Sequence, residues 1–373
     1  MPRYLLFSHD GFGLGHVRRN SLIARSLVKL DPAAEVTIVT GTATQPGWLQ
    51  DRAFAVVRVP PLLKDPDGSY RHPQRRFEDV LAQRAWVFNA AVERIAPHVV
   101  LVDRHPYGIG GELRGGLERA RRGGARLVIG LRDVLDEPVQ VRAELNGAGW
   151  DGVGELFDAV LIYGERALCD HEREYGLALT PHYCGLVAPD PAPPSPRFPR
   201  QLVIAAGGGA DGSATFELGL GLLALRPRWR AVALAGPFAN QWLGAHGAVT
   251  DRVQILQNVH GCAPYFASAS ALVQMAGYNS SAEALVGGVR PILVPRRNPR
   301  REQAIRASRL AAMGLADVVD EAARPEEVAW LLDRPRNLDA DTVARAGLRL
   351  DGAQRAAERL MALATEASLQ ATR

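Results

Sequence analysis

Short apolar runs, each ending in a polar turn that opens a helix, set the limits on what this chain can fold into. Pro291-Ile292-Leu293-Val294-Pro295 is one such run. A strand without polar alternation is buried on both faces, as strands are in a parallel sheet covered by helices on either side. The same design recurs at Tyr4–Ser8, Val99–Val102, Leu127–Gly130, Ala159–Tyr163, Gln201–Ala206 and Ala271–Met275. From Val17 the apolar residues change to helical spacing, with Leu22, Ile23, Leu27 and Leu30 on one face. Glu35–Thr40 is the next strand, so the chain opens as a βαβ unit. Polar groups gather just after the strands: His9 and Asp10, Asp103-Arg104-His105, Arg132-Asp133, and Gly164-Glu165. In an open α/β sheet, that edge is where ligands bind.

The stretch from Leu186 to Pro199, with its run Asp190-Pro191-Ala192-Pro193-Pro194-Ser195-Pro196, interrupts the alternation. Proline at this density continues neither a helix nor a central strand. Strands and helices then resume, so the pattern predicts two doubly wound α/β domains, residues 1–190 and 200–373. Within the first, Ala55–Val59 reads as a third strand and Phe77–Ile95 as a helix. Pro60–Arg76 between them reads as a long surface loop, a lid or acceptor loop. Within the second, Ala231–Ala235, Val253–Leu256 and Ala316–Val319 read as strands. Pro325–Leu332 and Asp341–Thr365 read as closing helices.

Composition excludes several classes. The net charge of +4 comes almost wholly from arginine and suits an anionic small ligand. A nucleic-acid binder would carry a concentrated basic stripe with interleaved aromatics, and none is present. Three widely spaced cysteines, Cys169, Cys184 and Cys262, form neither a disulfide framework nor a zinc motif. With no signal peptide and no apolar run of membrane-spanning length, the expectation is a cytoplasmic protein. Gly13-x-Gly15 after the first strand lacks a third glycine in register and a following acid, which argues against a nicotinamide site.

The densest chemistry lies from Ala276 to Gln303. Gly277, Asn279 and Ser280 follow a strand, and Asn279 or Ser280 is expected to cap the helix. Such a start aims backbone N–H groups and a dipole at a phosphate. Glu283, one turn in, leans back toward that end and is placed to accept from a ribose diol. The same residues equally suit an ordinary helix start, with Glu283 a solvated acid. Gly207-Gly208-Gly209 follows another strand and permits close approach of backbone to phosphate, with a plain tight turn as the alternative. Ser213 suits either a cap or a phosphate contact. Arg296 follows the apolar run, and Glu302 and Gln303 open a helix.

Gly277-x-Asn279-x-x-x-Glu283, Gly287-Gly288-Val289-x-Pro291 and Glu302-Gln303-x-x-Arg306-Ala307-x-x-Leu310 resemble the donor region of GT-B glycosyltransferases. The likeness is nearest to the bacterial peptidoglycan N-acetylglucosaminyltransferases and their relatives. It implies two Rossmann-like domains facing a central cleft, with a C-terminal helix crossing back to the first. It also implies a glycine loop at the diphosphate of a nucleotide sugar, uridine as its base, and Gln303 against the sugar, an N-acetylhexosamine being one such sugar. The family has a glutamine pair where this chain has Glu302 and Gln303, so that contact differs here.

On the first domain, His16 stands at a helix start beside a strand end, where a neutral imidazole can take a proton from an acceptor hydroxyl. Asp103 is the rival base, and also suits pairing with Arg104 or Arg132. His9, Asp10, Gly13, Gly15, Arg132 and Asp133 are acceptor-side candidates. No Asp-x-Asp or carboxylate cluster offers Mg²⁺ two ligands, so no metal or cofactor is expected beyond the co-substrate. The resulting expectation is an inverting, metal-independent glycosyltransferase acting on a soluble acceptor, a lipid-linked one being the alternative. A nucleotide-sugar hydrolase or epimerase, or a non-catalytic nucleotide-sugar binder, are the competing readings.

Overall fold

The computed structural model describes residues 1–9, 14–43, 46–64, 69–191, 197–207, 212–236, 251–257, 259 and 261–371. The chain divides into two compact units. One is residues 1–187 with 351–373, and the other is residues 188–350.

The first unit holds seven parallel strands: β1 (Arg3–Ser8), β2 (Glu35–Thr40), β3 (Ala55–Arg58), β4 (Val99–Asp103), β5 (Arg126–Arg132), β6 (Ala159–Tyr163) and β7 (Pro181–Tyr183). Their order in the sheet is β3-β2-β1-β4-β5-β6-β7. The order reverses between β1 and β4, which pair with Phe7 beside Val102. A reversal of this kind opens a crevice at the strands' carboxyl ends. β4 is buried along its whole length, as its unbroken apolar sequence requires. Helix α1 (Gly15–Leu30) follows β1, and α2 (Phe77–Ile95) precedes β4. Strand β7 was not anticipated; its three residues, one of them proline, carry too little pattern to read and form the sheet's edge. Within the expected loop at 60–76, Leu63–Lys64 pairs with Tyr70–Arg71 as a short antiparallel hairpin.

The second unit holds six parallel strands: β8 (Gln201–Ala205), β9 (Arg230–Ala235), β10 (Val253–Gln257), β11 (Ala271–Gln274), β12 (Ile292–Leu293) and β13 (Asp317–Val318), in the order β10-β9-β8-β11-β12-β13. Here the order reverses between β8 and β11. Helices α3 (Ser213–Ala224), α4 (Tyr278–Val286) and α5 (Glu302–Ala312) follow β8, β11 and β12. Two apolar clusters line the sheet, one around Ile204, Phe216, Leu222 and Val273, the other around Val203, Phe266, Leu272 and Ala284. They use alternate residues of each strand, which is why both faces had to be apolar. The expected strand at 291–295 shortens to two paired residues, because prolines at both ends have no N–H to give.

The long closing helix expected over 341–365 is two helices. Ala340–Arg345 ends ahead of Gly347, whose φ of 79° lies in the left-handed region. The second, α6 (Gly352–Ala371), is grouped with the first unit and packs on α1. Its buried residues Ala353, Ala356, Ala357, Leu360, Leu363 and Ala364 follow the helical period. Gly352 is required at its start: its N–H donates to the Leu186 carbonyl at 3.1 Å, and a Cβ would press on that same backbone.

Candidate active site

Within the first unit, the ends of β1 and β4 carry a buried polar network. β1 runs into His9, and Gly15 and His16 begin α1. Asp10 and Gly13 lie outside the described residues. His16 and Arg19 are three apart, so they share a face of α1, and both reach Asp103 at the end of β4. His16 Nδ1 is 3.0 Å from Asp103 Oδ1. Arg19 donates to both oxygens of the same carboxylate, at 3.2 and 2.9 Å, and its Nη2 is 2.8 Å from His16 Nδ1. Asp103 therefore pairs with Arg19 and His16, not with Arg104 or Arg132, the two partners its position had suggested. Arg104 pairs instead with Glu144, at 2.6 Å.

Burial by itself would raise the Asp103 carboxyl. The Arg19 guanidinium and the His16 imidazole, through charge and hydrogen bonds, outweigh it and hold the carboxyl below its ordinary range. His9 donates from Nδ1 to the Asp103 carbonyl at 3.3 Å, and its ring lies 4.2 Å from that of His16 and 4.6 Å from that of His105. Burial, then the like charges of His16 and His105, drive the His9 pKa well down; the Asp103 carbonyl opposes them. The backbone turns sharply here. Arg104 has φ of 78°, and His105 N–H bonds back to the Asp103 carbonyl at 3.2 Å. That is a strained γ-turn, and backbone strain of this kind costs about 1–3 kcal/mol. It directs the Asp103 carbonyl at His9.

Arg132 and Asp133 end the neighbouring strand β5. Arg132 donates to the Leu135 carbonyl at 3.3 Å, and Asp133 accepts from Val134 N–H at 2.7 Å, so both shape the 132–136 turn. The buried His171 holds the same strand end, with Nε2 3.0 Å from the Arg132 carbonyl. Sequence reasoning named His105 only among the polar residues after β4, and missed Arg19 and Tyr163, whose ring centroid lies 5.6 Å from the Arg19 guanidinium carbon. Arg19 left a signal, one turn after His16.

In the second unit, the matching strand ends present backbone rather than titratable groups. β8 runs on into Ala206 and Gly207, the latter with φ of 58°; Gly208 and Gly209 lie outside the described residues. Gly212 caps α3 and lies so close to Ala206 that a Cβ would collide with it. Ser213 is the first helical residue and is exposed, so it does not occupy the cap position. The α4 start departs from expectation in the same way. Its cap is Gly277, without any side-chain cap bond, while Asn279 and Ser280 sit inside the first turn. A Cβ on Gly207 or Gly277 would stand 3.9 or 4.0 Å from Ser280 Oγ, ordinary contacts, so space alone does not dictate glycine at the α4 cap.

Two helix starts, each capped by glycine, thus begin at adjacent strand ends. Side chains around them hold the turn. Arg306, 1% exposed, donates to the Ala276 carbonyl at 2.9 Å and stacks on Tyr278. Gln274 donates to the Ser280 carbonyl at 3.3 Å. Glu283 is buried, and one of its carboxylate oxygens accepts from Cys262 N–H at 2.8 Å. Glu302 pairs with Arg296 at 3.0 Å, and Gln303 Oε1 accepts from Arg296 N–H at 3.3 Å, so the first turn of α5 holds the 296 loop.

No family model and no curated protein matches the chain. Solved structures do. A glycotransferase of kitacinnamycin is 17% identical over 99% of both chains, with a TM-score of 0.64. MurG of Acinetobacter baumannii is 14% identical over 99% of both chains, with a TM-score of 0.57. The glycosyltransferase VinC, solved with dTDP, is 16% identical over 98% of this chain and 100% of its own, with a TM-score of 0.60. At such identities the likeness shows the fold, and the fold is that of GT-B glycosyltransferase structures: two parallel-sheet α/β domains.

Proposed function

We propose that this protein moves a sugar from a nucleoside-diphosphate donor to a hydroxyl or amine acceptor, by a single inverting displacement that needs no metal ion. The observation that carries the reading is the imidazole of His16 set against the buried, ionised Asp103. In the tautomer with its proton on Nδ1, His16 donates to Asp103 and presents the basic lone pair on Nε2; in the other, Nδ1 accepts from Arg19. The acceptor oxygen attacks the anomeric carbon as its proton passes to Nε2. The bond from that carbon to the diphosphate breaks, and its electron pair leaves with the nucleoside diphosphate. Asp103, 1% exposed and engaged by Arg19, is read here as the group that orients His16 and offsets the imidazolium charge.

The leaving diphosphate is assigned to the glycine turns at 207 and 277 and the starts of α3 and α4. First-turn N–H groups and helix dipoles, at helix starts without side-chain caps, stabilise negative charge there. Glu283 is assigned to the ribose and Gln303 to the sugar. Arg296, tied to Glu302, lies beside the same loop. Uridine is the base the sequence resemblance implies, and VinC's dTDP complex makes thymidine the first alternative.

Thermal unfolding with UDP, dTDP, GDP and ADP in EDTA, on wild type and Glu283→Ala, tests the donor assignment. One nucleotide should stabilise the wild type, with that shift much reduced in the variant. Absence of any shift would sink the proposal. Product analysis with the nucleotide sugar then separates transfer from hydrolysis. Sugar released at an equal rate with or without acceptors would make water the acceptor.

A further inference from the structure

The opposite edge of the second sheet carries an excess of positive charge that the proposed reaction does not use. β12 and β13 are parallel, with Ile292 beside Asp317, so Arg290 and Asp317 stand at the strands' N-terminal ends. A bridge from Val289 to Asn337 brings a second segment alongside, and Arg290 N–H donates to the Arg336 carbonyl at 2.7 Å. Three guanidiniums then converge on one carboxylate. Arg336 Nη1 bonds Asp317 Oδ2, Arg334 Nη1 reaches Oδ1 at 2.9 Å, and Arg290 Nε stands 3.7 Å from Oδ2.

The environments of the three differ. Arg336 is 3% exposed and also donates to the Leu331 carbonyl. Arg334 lies over the Trp330 ring, 5.6 Å from its centroid. The Arg290 Nε is buried, yet makes no hydrogen bond among the described residues. At the same edge, ahead of β8, Arg197 donates to the Gly288 carbonyl, and no described carboxylate pairs with it.

An anchor for Asp317 would need one guanidinium. Guanidinium groups stay charged at any working pH, and a buried cation is costly unless paired. Arg334 and Arg290 share that one carboxylate with Arg336 and repel it, and the local excess of two positive charges matches a dianion. Converging guanidinium N–H groups fit the oxygens of a phosphoryl group, which accept in several directions at once. We propose that this edge binds a small phosphoryl dianion, held by Arg290, Arg334 and Arg336, with Asp317 setting the spacing of the three.

Titration calorimetry and thermal unfolding with inorganic phosphate, against chloride at equal ionic strength, test this. Wild type should show saturable binding and a rise in Tm that chloride does not reproduce. In the double variant Arg290→Gln/Arg334→Gln, whose side chains are not wholly buried, affinity should fall about tenfold or more. Asp317→Asn should lower Tm without phosphate and regain more of it with phosphate than wild type gains. Methyl phosphate binding tighter than inorganic phosphate would assign the site to a phosphorylated metabolite, and the reverse to the free ion. No saturable phosphate effect in wild type, or the same effect in the double variant, would overturn the proposal.

Discussion

The two sheets end their strands in chemically opposite ways. At the β1 and β4 ends of the first, a carboxylate, a guanidinium and imidazoles are locked in one buried network. At the β8 and β11 ends of the second, the groups presented are glycine turns and helix starts without side-chain caps. Under the proposed reaction, one edge holds and moves protons and the other meets negative charge with backbone. The contrast follows from what each must tolerate. Titratable groups work when burial and neighbours tune them, whereas backbone N–H groups need only close approach, which a Cβ would prevent.

The largest effect should come from His16→Ala. Turnover should fall about 10²–10⁴-fold, while nucleotide stabilisation persists. If turnover and nucleotide binding fell together, the contrast between the edges would fail. Asp103→Ala leaves Arg19 buried without its carboxylate, and should cost about 3–5 kcal/mol in urea unfolding. Gly212→Ala at the other edge should cost about 1–3 kcal/mol, by forcing α3 off Ala206, and should weaken nucleotide binding without altering pH dependence.

Acid should act on the first edge in two stages. The folded pKa of His9 lies well below its unfolded value near 6.5, so the folded state binds fewer protons. Stability is complete above that pH and declines as pH falls toward the folded value, at up to about 1.4 kcal/mol per pH unit. Asp103, also depressed, keeps its contribution above a carboxyl's unfolded value near 4 and loses it as pH falls through the lower folded one. His9→Gln should flatten the first stage of a urea-midpoint profile between pH 8 and 5.5. The smallest effect should be that of Ser213→Ala, under about 0.5 kcal/mol, because Gly212 holds the cap; a loss near 1 kcal/mol would restore Ser213 to it.

Glu35–Thr40, Ala159–Tyr163 and Phe77–Ile95 were legible at their observed bounds, because apolar runs and helical spacing are local signals. Pro181–Tyr183 and the break at Gly347 were not, since neither carries a period. The α4 cap, expected at Asn279 or Ser280, is Gly277, and of the two readings open for Ser213 the cap falls to Gly212. A short polar residue suits a cap anywhere in solution, but at α3 the cap position lies against Ala206, where a Cβ would collide. His16 and Asp103 were each legible as polar residues at strand ends. Their union through Arg19, 84 positions from Asp103, was not.

From the sequence alone follow the alternation of buried strands and helices, the break between two such series, and the strand ends at which polar groups collect. Each depends on neighbours along the chain. Only the tertiary structure decided that Asp103 pairs with Arg19 and His16 rather than Arg104 or Arg132, that α6 packs on α1, and that three arginines share Asp317. Those pairings depend on which strands lie side by side. A buried charge takes its partner from whatever the sheet order brings within hydrogen-bond reach, and sheet order is not written in any local run of residues.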